Sequence, residues 1–241
     1  MGKRVGAAVA LAATLLMTTA CGTESASSGP EGSVNVVVSI NQWESLASQI
    51  GGNKVKVASI LSNQNVEAHD FEPQPSDIAK ISEAQIVLVN GADYDSWATK
   101  ATKNTQAVVV NAAQEGGVKA GGNPHVWFSA AVRTATAKAY AAALSKIDAK
   151  DSAYFTSQLT AWSKKESDLE ASLTEAKKKT DGTAYAATES VAHYLAQDLG
   201  MKDVTPTGYA QAVENESEPA PGDIKKFQEA LADGSIKVLI V

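Results

Sequence analysis

Three histidines occur in the 241 residues, and two of them sit in loops that proline stiffens. His69 stands in "EAHDFEPQP" (67–75), among Glu67, Asp70 and Glu72, with Pro73 and Pro75 behind it; His125 stands in "GGNPHVWFS" (121–129), directly after Pro124. Imidazole is a borderline donor suited to first-row transition metals. Proline fixes φ, which lowers the entropy lost when a donor is held in place. A third stretch, "ATESVAHYL" (187–195), is read as Thr188 capping a helix whose first residue is Glu189, with His193 one turn on along the same face. Two imidazoles and a carboxylate can coordinate a divalent cation. Each residue also has a plainer reading. His69 fits a solvated acidic turn, His125 fits packing against Trp127, Glu189 fits a carboxylate complementing a helix dipole, and His193 fits a helix surface. The recurrence of the first two at strand ends, in similar contexts, favours ligation. Asp70 and Glu72 are read as orienting the loop rather than binding.

The elements that must position these residues follow from hydrophobic patterning. "VNVVVSI" (34–40), "KVKVASI" (54–60), "IVLVN" (86–90) and "AVVVN" (107–111) are near-continuous apolar runs, as in parallel strands covered on both faces. Helical patterns at 42–51, 76–84 and 92–103 alternate with them, giving an α/β lobe over 33–128. Ligands of open α/β sheets bind outside the carboxyl ends of the strands, which is where both histidine loops fall.

The segment 129–180 is helical. Ser129 caps an Ala-rich helix to about Asp148, and a second pattern runs from about Asp151 to Lys179. Phe155, Leu159, Trp162, Leu169, Leu173 and Ala176 form its apolar stripe, with Glu166 the single interruption. A helix of about 28 residues is about 42 Å long, enough to connect two lobes against which the stripe docks. The α/β rhythm returns over 181–241, with a strand at 184–188, a helix at 189–199 ended by Gly200, a helix at 222–232 and a strand at 236–241. That last run reads as a buried strand with nothing after it to cover its faces, so the second lobe is expected to be incomplete. The fold expected is α/β: two lobes with mostly parallel sheets joined by one long helix.

The first residues read as a signal peptide (1–20). Lys3 and Arg4 precede an apolar run, Val5–Met17, too short to span a bilayer. Cys21, the sole cysteine, resembles the lipidated residue of a bacterial lipoprotein, although Thr18 stands where an aliphatic residue is usual. Residues 21–32 then form a Ser/Gly/Glu-rich tether. Without the signal, 19 basic face 27 acidic residues, a formal net charge of −8. That balance disfavours nucleic acid and suits cations.

"HDFEPQPSDI", "NPHVWFS" and "TESVAHYLAQDLG", in that order around a long helix, resemble the metal-binding solute-binding lipoproteins of zinc- and manganese-type ABC importers. "IVLVNGADYDSWA" and "EPAPGDIKKFQEAL" are similar to further segments of that family, so the resemblance runs from Val34 to Val241. It implies His69, His125 and Glu189 as metal ligands, with the acidic fourth ligand of the family lacking a counterpart before Val241. It also implies Zn²⁺ or Mn²⁺ (or Fe²⁺) as bound cargo, an importer permease as partner, a lipid anchor on Cys21 at the outer face of the cell membrane, and action as a monomer.

Two other function classes find less support in the sequence. A metal-dependent hydrolase needs an open coordination position and a base, and no His-Glu-x-x-His helix is present. A surface adhesion or scaffold protein with a vestigial cleft needs a partner that no residue identifies.

Overall fold

The computed structural model describes residues 33–63, 66, 68–119, 121–215 and 217–241. The expected signal peptide, Cys21 and the tether lie outside the described residues, as does Glu67.

The first lobe is built on four parallel strands in the order β2-β1-β3-β4: β1 Val34–Ile40, β2 Val55–Leu61, β3 Ile86–Val89 and β4 Val108–Asn111. Helices α1 (Glu44–Gly51), α2 (Pro75–Glu83), α3 (Ser96–Ala101) and α4 (Ala112–Glu115) alternate with them. β1 shows why its residues are apolar throughout. Val36, Val38 and Ile40 point into a core shared with Trp43, Ile50, Leu88 and Tyr140, while Val37 points into a second core with Ile81, Val87 and Val89. A strand buried on both faces has no solvent side to encode, and each buried Val or Ile contributes roughly 1.5–3 kcal/mol.

α5 (Ala130–Ile147) starts where Ser129 accepts a hydrogen bond from the Val132 amide, so the expected cap is present. The connecting helix α6 spans Ser152–Thr180, 29 residues. Its stripe docks over its first half only. Phe155 and Trp162 are buried in the first-lobe core, whereas Leu169 is 44 % exposed. Glu166, expected to interrupt the stripe, is instead buried in an ion pair with Arg133. Three lysines, 177–179, occupy the last turn, where the helix dipole favours cations.

The second lobe has three parallel strands in the order β6-β5-β7: β5 Ala184–Ala187, β6 Lys202–Asp203 and β7 Val238–Ile240. Its helices are α7 (His193–Asp198), α8 (Thr207–Glu214) and α9 (Pro221–Ala232). The core is small, with Ala186, Phe227 and Ile236 at its centre and Tyr209 edge-on to Phe227 at 4.6 Å. Two expectations are corrected here. β7 is not buried: Val238 and Leu239 are 39 % and 42 % exposed, on a strand that among the described residues pairs with β5 alone. The helix expected over 189–199 is a short 3₁₀ turn, Ser190–Ala192, followed by α7, so Glu189 precedes the helical residues rather than opening them. Gly200 does end that segment, at φ +66°. Among the described residues no helix is long and apolar enough to cross a membrane.

Candidate metal centre

His69 and His125 reach the same aromatic ring from different loops. The His69 imidazole stands edge-on to Tyr94, centroids 4.8 Å apart and planes at 86°; His125 packs against Tyr94 at 5.7 Å and against Trp127 at 5.3 Å. Tyr94 follows β3, His69 follows β2, and His125 follows β4 and α4, so all three gather beyond the carboxyl ends of the strands.

The His69 loop is pinned on both sides of the histidine by one residue of α3. Trp97 donates its indole N–H to the carbonyl of Ala68 at 3.2 Å, and its ring packs on Phe71 at 4.8 Å. The prolines beyond it start a helix: Pro75 is the first residue of α2, and the Asp77 carboxylate accepts from the Gln74 amide at 3.1 Å. His69 itself is exposed.

The His125 loop hangs on a buried amide. Asn90 accepts from the Trp43 indole at 3.1 Å and donates to the carbonyls of Gly91 at 3.0 Å and Pro124 at 2.9 Å. Asp95 accepts from the amides of Asn90 and Gly91, at 2.7 and 2.9 Å, and fixes the turn that presents Tyr94. Burial pushes the Asp95 carboxyl up, and hydrogen bonds to it work in the opposite direction. On the far side of the histidine, Arg133 donates to the Trp127 carbonyl at 3.0 Å while holding Glu166. Half-buried His125 is thus fixed from two sides. Burial holds its pKa down to about 4, with repulsion from His69 and then His193 adding to the effect.

His193 lies on the second lobe, where its ring is 2.9 Å from the Gln197 side-chain amide one turn further along α7. Glu189 is exposed on extended backbone, φ −137° and ψ 149°. The expected cap is absent: Glu189 rather than Thr188 precedes the 3₁₀ turn, and Thr188 donates both its hydroxyl, at 3.5 Å, and its amide, at 2.9 Å, to the Ile240 carbonyl of β7. Glu189 and His193 nevertheless share a cavity of about 50 Å³ with Asp203, Glu214, Thr205 and Tyr185. Burial, and then Asp203, raise the Tyr185 hydroxyl to about 12.

The structure therefore gathers the expected donors into two sets: His69 and His125 at Tyr94, and Glu189 and His193 at the second-lobe cavity. Among the described residues no three His, Cys, Asp or Glu side chains stand together as a ready metal-binding group. Between the lobes lies a cleft of about 490 Å³, lined in part by Ile40, Leu61, Tyr94, Trp127 and, from the second lobe, Val191. Among the described residues, two direct hydrogen bonds cross the junction. The Asn123 side-chain amide donates to the Ser190 carbonyl at 3.0 Å, and the Tyr194 hydroxyl donates to the Asn123 carbonyl at 2.9 Å. Sequence reasoning missed the roles of Tyr94, Asn123 and Tyr194: all three lie inside segments quoted above, but residue type and spacing do not show which loops they join.

Comparison with known proteins places this geometry in context. A family model described as the periplasmic component A of the zinc-uptake complex, ZnuA, matches residues 36–241. The high-affinity zinc uptake system protein ZnuA of Bacillus subtilis is 25 % identical, over 99 % of this chain and 81 % of that protein. The manganese ABC transporter substrate-binding lipoprotein PsaA of Streptococcus pneumoniae is 25 % identical, over 99 % of this chain and 82 % of that one. Among solved structures, the metal-dependent lipoprotein YcdH of Bacillus subtilis superposes with a TM-score of 0.71 at 26 % identity, covering 86 % of this chain and 77 % of that chain.

Proposed function

The chain belongs to the family of the periplasmic zinc-uptake component ZnuA, and from that premise we propose that it is an extracytoplasmic solute-binding protein capturing a divalent transition metal for an ABC importer. The observation that carries the reading is the convergence of His69 and His125, from separate strand-end loops, on Tyr94. On this reading these imidazoles are the first-lobe donors and Glu189 is the second-lobe donor. His193 is the competing candidate, since it lines the same second-lobe cavity as Glu189. Capture requires the two sets of donors to approach, and the cleft gives room for small lobe tilts and loop movement.

The cargo is Zn²⁺, Mn²⁺ or Fe²⁺. Imidazole with carboxylate suits all three, and the Irving–Williams order makes Zn²⁺ the tighter ligand of such a site whichever is transported. The partner is the importer's permease, reached by a monomer that a lipid on Cys21 holds at the outer face of the membrane. The two relatives compared above, ZnuA and PsaA, are named as transport components, and no residue set specific to hydrolysis or adhesion adds to either of those readings.

Titration with Zn²⁺ and with Mn²⁺ tests the donors. His69→Ala and His125→Ala should each weaken binding at least about 100-fold, the upper part of the range seen for groups that control a metal site. Comparing Glu189→Ala with His193→Ala identifies the second-lobe donor. Unchanged affinity in both first-lobe variants would remove the proposed centre.

A further inference from the structure

Asn123 makes bonds of two different kinds with one side-chain amide. Its Nδ2 donates to the Ser190 carbonyl at 3.0 Å, and its Oδ1 accepts from the His125 backbone amide at 3.0 Å. A carbonyl can only accept and a backbone N–H can only donate. Turning the amide over would oppose oxygen to oxygen and N–H to N–H, so these two partners fix its orientation. The same Oδ1 lies 3.0 Å from Nδ1 of the His125 ring. An acceptor facing Nδ1 requires that nitrogen to carry the hydrogen, and in a neutral imidazole the lone pair is then on Nε2.

We propose that Asn123 is a positioning residue that locks His125 as its Nδ1–H tautomer, presenting Nε2 as the donor atom, with the second lobe steadying the amide that does so. Ser190 anchors the amide and Tyr194 anchors the Asn123 carbonyl, and both belong to the lobe across the cleft. Separation of the lobes removes the Ser190 anchor and leaves the His125 backbone N–H, which still calls for the oxygen, to orient the amide. Outer partners of this kind set the tautomer and orientation of metal-ligating histidines.

The consequence for metal affinity rests on the receptor reading above; the tautomer does not. The test is long-range ¹H–¹⁵N correlation of the imidazoles in the metal-free full chain at pH 7.5, with the three histidines assigned from His→Gln variants. Wild-type His125 should show the Nδ1–H pattern. Asn123→Ala, which removes the acceptor, should convert it to the Nε2–H form or a mixture, and Asn123→Asp, which keeps an acceptor, should retain Nδ1–H. Zn²⁺ affinity measured on the same samples should fall about 10- to 100-fold in Asn123→Ala and less in Asn123→Asp. An Nε2–H pattern in the wild-type protein overturns the proposal without recourse to any variant, as does an unchanged pattern in folded Asn123→Ala. The expected tautomers in a protein that binds no Zn²⁺ would uphold the lock and remove the receptor reading instead.

Discussion

Tyr194 donates its hydroxyl hydrogen to the backbone carbonyl of Asn123 at 2.9 Å, so a second-lobe helix holds the turn that carries His125. Tyr194→Phe deletes this bond and little else. A net hydrogen bond is worth about 1 kcal/mol, and a loss of that size should appear in denaturant unfolding with an unchanged far-UV spectrum. A loss below a few tenths of a kcal/mol would mean that the bond contributes nothing to docking.

The depressed His125 pKa makes a pH prediction with a definite sign. The ring titrates near 6.5 when unfolded and near about 4 when folded. Between those values the unfolded chain binds more protons, so the stabilisation is complete above about pH 6.5 and is lost as pH falls toward about 4. One pKa unit corresponds to about 1.4 kcal/mol. Solvent screening of a half-buried ring reduces the whole effect to about 2 kcal/mol. Unfolding of the metal-free protein across that range should show this slope, and His125→Gln should flatten it.

Glu166 and Arg133 join the connecting helix to the Trp127 carbonyl, and both are nearly buried, at 9 % and 15 % side-chain exposure. Glu166→Ala leaves the guanidinium without its counter-charge, which typically costs about 3–5 kcal/mol. Thermal or denaturant unfolding should register that loss, whereas Lys164→Ala, whose 79 % exposed ammonium lies 3.7 Å from Asp168, should change stability by less than about 1 kcal/mol.

Much of this was legible from residue types. β1 was found at its observed limits because a strand buried on both faces is written as unbroken Val and Ile. α6 was found within about a residue at each end because its breadth of pattern and its Asp-Gly ending leave few alternatives. α8 was missed: Thr207–Glu214 carries Gly208 inside and fully buries no residue, and Tyr209 with Val213 makes a stripe too short to read. At the site, His69, His125 and Glu189 stood out by type and neighbours, but the backbone at Glu189 was misread. Thr188 looks like a cap and instead bonds β7, a contact that depends on a strand 52 residues further on. The bond between Tyr194 and Asn123 was unreadable for the same reason, since it joins residues 71 apart that meet only where the lobes dock.

A single helix of 29 residues joining the lobes is a stiff connector. Solution scattering with and without Zn²⁺ should therefore show only a small change in radius of gyration, about 1 Å or less against the broad compaction of a flexible hinge. A large compaction would contradict the rigid connection.

The most direct test of metal capture is elemental analysis of the purified protein beside a His69→Ala/His125→Ala double variant. About one equivalent of zinc, manganese or iron per chain in the wild type, absent from the folded double variant, is the result expected of a receptor whose first-lobe donors are these two imidazoles. Equal metal in both proteins, or none in folded wild type after incubation with excess Zn²⁺ and Mn²⁺, would contradict it.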